Sequence, residues 1–158
     1  LIFDQGLGDI FSIRLAGNVA SPEAIASLEY TCKVLGSKLI VVLGHTNCGA
    51  VTAACNSVQM GNLEVLLKHI NPAIAAEKET LSNRNGSNKV FLNNVLHNNV
   101  HQQIDTIING SDIIWELLQN HQIGIIGGMY DISTGDVEFF EEMFDLEHLK
   151  SVAEHSAV

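Results

Sequence analysis

Apolar and polar positions change period several times along this chain, and each change predicts an element. Ile10-Phe11-Ser12-Ile13-Arg14-Leu15 alternates and predicts a strand that stops at Ala16-Gly17-Asn18. Ser21-Pro22-Glu23 then opens a helix, with Ser as the cap, Pro in the first turn and an acid beside it. Its stripe is Ile25, Leu28, Cys32 and Leu35, and Gly36 ends it. Leu39-Ile40-Val41-Val42-Leu43-Gly44 is an unbroken apolar run. That predicts a strand over 38–44, buried on both faces and central in a parallel sheet. A short helix over 48–56 follows.

The second half reads the same way. Leu63, Leu66, Leu67, Ile70 and Ile74 predict one helix, and the polar stretch 80–88 predicts a loop. Val90, Val95, Val100, Ile104 and Ile107 set a helix over 89–109. Another follows over 111–120, capped by Ser111. Ile123–Gly128 and Asp136–Phe140 then predict two strands joined through Ser133-Thr134-Gly135. Strand and helix alternate, so the expected fold is α/β: a mostly parallel central sheet, flanking helices and a C-terminal antiparallel edge strand.

Length and composition narrow the class. At 158 residues, 46% hydrophobic and 16% charged, the chain fits one folded domain and not a disordered one. It has no apolar run long enough to span a membrane and no secretory leader at Leu1–Gly6. Eight basic against 18 acidic residues give a charge of −10, which argues against nucleic acid and anionic membranes as partners. Asp136, Glu138, Glu141, Glu142, Asp145 and Glu147 concentrate part of that excess, and a solvated acidic face is the expectation. Three cysteines, Cys32, Cys48 and Cys55, do not make a disulfide framework. They point to a reducing, cytoplasmic location, with Cys32 and Cys55 packed inside helices.

The candidate chemistry lies where the 38–44 strand ends, in His45-Thr46-Asn47-Cys48-Gly49-Ala50. Open α/β sheets place ligands at such strand ends. An imidazole and a thiol three residues apart can reach one metal ion, and zinc favours that nitrogen–sulfur mixture. His-x-x-Cys by itself is a weak pattern, since catalytic zinc takes three protein ligands. His97 and His101 share a helix face, but no third ligand accompanies them, so structural or surface roles are expected. His69, His121, His148 and His155 are isolated and read as surface residues. Gly6-Leu7-Gly8 and Gly127-Gly128 lack the spacing of a phosphate loop. Glu29-Tyr30 is ambiguous by pattern alone, although an acid beside an apolar stripe at a sheet edge can orient nearby backbone groups.

Several of these segments together resemble the beta-class carbonic anhydrases. They are Asp9-Ile10-Phe11 with Arg14, Ala16-Gly17-Asn18, Leu28-Glu29-Tyr30, Gly44–Gly49, Gly128-Met129-Tyr130-Asp131 and Thr134-Gly135-Asp136-Val137. The resemblance spans nearly the whole chain in the same order. It implies reversible hydration of carbon dioxide to bicarbonate through zinc-bound hydroxide, with His45 and Cys48 as two of three metal ligands. It also implies a substrate pocket involving Phe11, Ala16, Tyr30 and Gly49, and a homodimer or higher homo-oligomer.

One part of the family pattern has no counterpart here. The first ligand and the catalytic Asp–Arg pair belong to a Cys-x-Asp-x-Arg segment, expected upstream of Leu1. Residues 1–158 are therefore expected to be a single domain that is incomplete at its N-terminus, and inactive in that form. Two other readings compete: a non-catalytic carbonic-anhydrase-like binding module or soluble tail of a larger protein, and a zinc hydrolase of another small heterocumulene such as carbon disulfide.

Overall fold

The computed structural model describes residues 2–140. Its frame is a three-stranded sheet in the order β1-β2-β3, with β1 at Leu39–His45, β2 at Gly124–Tyr130 and β3 at Val137–Phe139. β1 and β2 run parallel from Leu39 opposite Gly124 to His45 opposite Tyr130, and β3 returns antiparallel. The α/β architecture is thus the expected one, including the antiparallel edge strand. β1, however, is not central among the described residues. It pairs only with β2, and its residues alternate between buried and half-buried after Leu39. Its even-numbered face is the better covered, and β2 is the middle strand.

The predicted strand at Ile10–Leu15 is also corrected. Leu15 is extended, with φ −127° and ψ 151°, but residues 10–15 join no ladder. Alternation favours extended backbone; a strand further needs a neighbour to share its hydrogen bonds. No strand of the described sheet lies beside this segment, and Ile10, Phe11 and Leu15 are exposed.

Helices follow the predicted stripes closely. α1, Pro22–Tyr30, starts where Ser21 accepts the Ala24 N–H, and a single wide turn at Thr31–Leu35 carries it to Gly36. Gly36 ends it at φ 82°, a left-handed conformation that glycine takes without strain. α2 is Gly49–Cys55. The single helix expected across 63–74 is instead two, α3 at Leu63–Lys68 and α4 at Asn71–Ala76. Pro72 is the cause. It has no N–H to donate back to Lys68, and its ring would collide with that carbonyl. α5, Lys89–Asn109, and α6, Asp112–Gln119, match expectation, each capped as a helix start should be, by Asn88 and Ser111. Ser111 serves twice, accepting from Ile114 N–H and donating to Glu29 at 2.6 Å, which ties α6 to α1.

α5 lies against the sheet and supplies much of the core through Phe91, Val95, Val100 and Ile104, none of which has measurable exposure. Close approach is possible because Gly44 and Gly127 face it. A Cβ on Gly44 would come within 2.7 Å of both Val100 and Met129, and one on Gly127 within 2.9 Å of Val100. The glycines of both strands are therefore packing devices.

The loop after α4 is held by a buried carboxylate. Glu77, 2% exposed, accepts from Thr80 N–H and hydroxyl, from Asn94 and from Arg84. Burial opposes its charge, but those hydrogen bonds prevail and hold its pKa at about 2, below the ordinary 4.5. The folded carboxyl is the stronger acid. Its contribution is therefore complete above the unfolded value and lost as pH falls towards about 2. Acid unfolding followed by circular dichroism should show a loss of stability across that window, and Glu77→Gln should flatten it. An unchanged acid limb in the variant would remove Glu77 from the account.

Candidate metal centre

His45 is the last residue of β1, and Cys48 caps the N-terminus of α2. Between them Thr46 and Asn47 form a tight turn, with Asn47 at φ 58°. Asparagine tolerates that left-handed conformation better than most residues. The turn is fastened to the end of β2 twice: Thr46 N–H donates to Tyr130 O at 3.0 Å, and Thr46 Oγ1 accepts from Ile132 N–H at 3.1 Å. Two strand ends and a helix start thereby meet at one corner, which carries His45 and, three residues on, Cys48.

The state of the imidazole follows from its contact. His45 Nδ1 lies 2.9 Å from the carbonyl oxygen of Thr46. A carbonyl can only accept, so Nδ1 carries the hydrogen, and in the neutral ring the lone pair is then on Nε2. That is the arrangement a metal-binding histidine needs, with the second nitrogen fixed by a backbone carbonyl. Cys48 is 3% exposed and its side chain makes no capping bond. The pair thus fits zinc as part of a ligand set. Among the described residues, no group of three or more His, Cys, Asp or Glu side chains could hold a metal ion.

The other thiols are set apart by their surroundings. Burial pushes Cys55 up to about 11 and raises Cys32 as well, against the pull of Lys38, so both stay protonated at neutral pH. Both lie inside the core, as the sequence implied.

The residues assigned to the pocket by resemblance lie on the surface of this chain. Phe11 is 49% and Tyr30 54% exposed, Ala16 and Gly49 are exposed, and a Cβ on Gly49 would meet nothing within 4 Å. They do not enclose a cavity within the single chain. An open cavity of about 400 Å³ lies instead beyond Thr46, lined among others by Asn93, His97, Asp131, Asp136 and Glu138. Only Asp136 and Glu138 of the six-residue acidic cluster fall within the described residues, and both are exposed; Glu141, Glu142, Asp145 and Glu147 lie outside them, as do His148 and His155. Asp131 is kept a stronger acid than usual by the Ser133 hydroxyl and by backbone N–H groups of the turn.

His97 and His101 prove to be packing residues, each stacked on Phe140, with ring centroids 5.3 and 4.8 Å away. Burial lowers the pKa of His97, Glu138 opposes that, and His101 adds to it. His69 is half-buried beside a groove and is not a plain surface residue, whereas His121 is exposed. Sequence reasoning passed over Asn99 and Gln103, two polar residues buried within the apolar stripe of α5. Their positions on that stripe were the available signal.

Comparison with known proteins identifies the family and agrees with the fold. The carbonic anhydrase family model matches residues 1–137. Carbonic anhydrase 2 of Mycobacterium tuberculosis is 34% identical over 140 residues, covering 85% of this chain and 64% of that protein. The carbonic anhydrase of Mycolicibacterium smegmatis is 31% identical over 151 residues, covering 92% and 70%. Among solved structures, the beta-carbonic anhydrase CafA of Aspergillus fumigatus superposes with a TM-score of 0.80 at 25% identity, over 98% of this chain and 74% of that one. This chain thus spans a little under two-thirds of the Mycobacterium tuberculosis relative. A strand-end His, a buried Cys at the next helix and a family match across most of the sequence lead to one assignment: the chain belongs to the carbonic anhydrase family, in its beta class.

Proposed function

We propose that this protein catalyses the reversible hydration of carbon dioxide to bicarbonate, with zinc held in part by His45 and Cys48. The observation that carries this is the Thr46 carbonyl on His45 Nδ1, which in the neutral ring leaves Nε2 as a ligand at the corner where the buried Cys48 begins α2. Zinc, when bound, supplies Lewis-acid activation of water near neutral pH. The chain's own residues do the rest. Thr46 fixes the imidazole, Cys48 offers a thiolate, and Phe11, Ala16, Tyr30 and Gly49 offer surface to an apolar substrate that needs few hydrogen bonds. In the family pattern a third ligand and the Asp–Arg pair belong to a Cys-x-Asp-x-Arg segment, and none occurs among residues 1–158. On this reading, these residues alone hydrate carbon dioxide poorly. The test is stopped-flow hydration with zinc quantified, on the 158 residues and on the protein that carries such a segment. Zinc-loaded but inactive long protein would favour a binding module; turnover of carbon disulfide alone would favour a heterocumulene hydrolase.

The same reading includes a homodimer. Phe11, Leu15, Tyr30, Val34, Leu35 and Leu39 are large apolar side chains left exposed. A second subunit would cover them and close the pocket. Sedimentation equilibrium on the full-length protein should give a dimer or a multiple of it, and a monomer at micromolar concentration would count decisively against it. Three free, buried cysteines support a cytoplasmic location. No helix among the described residues is long and apolar enough to cross a membrane.

A further inference from the structure

Two amides sit where α5 is otherwise apolar. Asn99 has no measurable exposure and Gln103 only 1%. Burying an amide is unfavourable unless its hydrogen bonds are made, so each partner matters. Gln103 Oε1 accepts from Ala20 N–H at 2.9 Å, while its Nε2 donates to His69 O and to Asn99 Oδ1, both at 3.1 Å. Asn99 Nδ2 donates to Gly17 O at 2.8 Å and to Asn18 Oδ1 at 3.3 Å.

These bonds leave no freedom in the orientation of the amides. Ala20 N–H demands an acceptor and His69 O a donor, which fixes the end-to-end sense of Gln103. Gly17 O demands a donor, which fixes Asn99. Asn99 must then meet an acceptor at Asn18, so Asn18 turns its oxygen inward and its Nδ2 away. That nitrogen is the buried side-chain donor left without a protein partner among the described residues. The relay therefore sets both the path of the turn and the polarity of its last side chain.

The turn it holds is the Ala16–Asn18 corner, in which Gly17 and Asn18 are both left-handed, at φ 68° and 44°. It packs against β1 and α2, the elements that end in His45 and begin after Cys48. The fit is tight: a Cβ on Gly17 would come within 2.7 Å of Ile70 and 3.4 Å of Ala50. Among the described residues, no strand ladder supports residues 10–15 on the approach to this turn.

We infer that Asn99 and Gln103 are positioning residues for the reaction: through Gly17, Asn18 and Ala20 they hold the Ala16–Asn18 wall in register with the His45–Cys48 corner. This rests on the carbonic anhydrase reading above. Neither residue touches substrate; they act through the turn.

The test uses the zinc-loaded full-length protein. Asn99→Leu should lower kcat/KM per bound zinc by about tenfold or more, since small misplacements at a reacting site are costly. Zinc content should be retained, and the backbone amide resonances of residues 16–20 should shift together with those of residues 48–51. Asn18→Gly, which suits the left-handed backbone and keeps the core intact, should lower kcat/KM by about threefold or more. It guards against an Asn99 variant that fails to fold. Arg84→Met is the structural control. It breaks the other buried polar cluster and should cost thermal stability while leaving kcat/KM per zinc within about twofold of the parent.

Unchanged kcat/KM in both turn variants, or an equal loss in Arg84→Met, would overturn the inference. If the parent protein shows no hydration, the proposed function fails and the relay is judged on the resonances alone. A shift confined to α5 in Asn99→Leu then sinks it.

Discussion

Alanine at His45 or at Cys48 is expected to remove zinc from the full-length protein and, with it, turnover. A zinc site with one of three protein ligands deleted loses far more than the roughly 10–100-fold that altering an outer contact costs, so affinity should fall by more than about 100-fold. Cys55→Ala is the control. That thiol is held protonated by burial, with its pKa at about 11, and lies at the opposite end of α2 from Cys48, so zinc content should be unchanged. Equilibrium dialysis with metal quantification, followed by stopped-flow hydration, measures both quantities. Full zinc occupancy in Cys48→Ala would show that this sulfur is not a ligand.

How much could be read from the residues depends on how local each determinant is. The 89–109 stripe gave α5 to the residue, because cap, period and terminal Gly110 are all written within one segment. Pro72 was equally local, but the apolar stripe across it masked its effect, and one expected helix became two. Strand pairing is not local. Ile10–Leu15 carries the right alternation yet forms no ladder, because pairing depends on which strand lies alongside. The same limit applies to β1, which pairs on one side only among the described residues: an apolar run reports apolar surroundings, not hydrogen-bonded neighbours. At the metal corner the ligand types and their spacing were legible, whereas the Thr46 carbonyl that fixes His45 was visible only in three dimensions. The amides of α5 were legible as an anomaly and unreadable as a relay, because their partners lie more than 30 residues away along the chain.

Phe91→Ala should produce the largest loss of stability in the described core. The ring has no measurable exposure and belongs to the first turn of α5, where its N–H is one of two capped by Asn88. On one side the Arg84 guanidinium stacks 4.7 Å from the ring centre, so the side chain also joins the Glu77–Arg84 cluster to the core. Truncating a fully buried Phe costs about 3–5 kcal/mol, part from lost burial and part from the cavity left behind. In a domain of this size that corresponds to a melting temperature lower by on the order of 10 °C. Phe91→Leu keeps most of the volume and should cost only about 1 kcal/mol, although it loses the contact between guanidinium and ring. Because the ligand corner is built from β1, α2 and the end of β2, zinc bound per folded molecule should not change in either variant. Calorimetry with zinc quantified on the folded fraction separates these effects. A loss below about 1 kcal/mol for Phe91→Ala would mean that the surrounding side chains close over the gap. A loss of zinc in step with stability would instead tie the metal corner to α5 more directly than the packing described here allows.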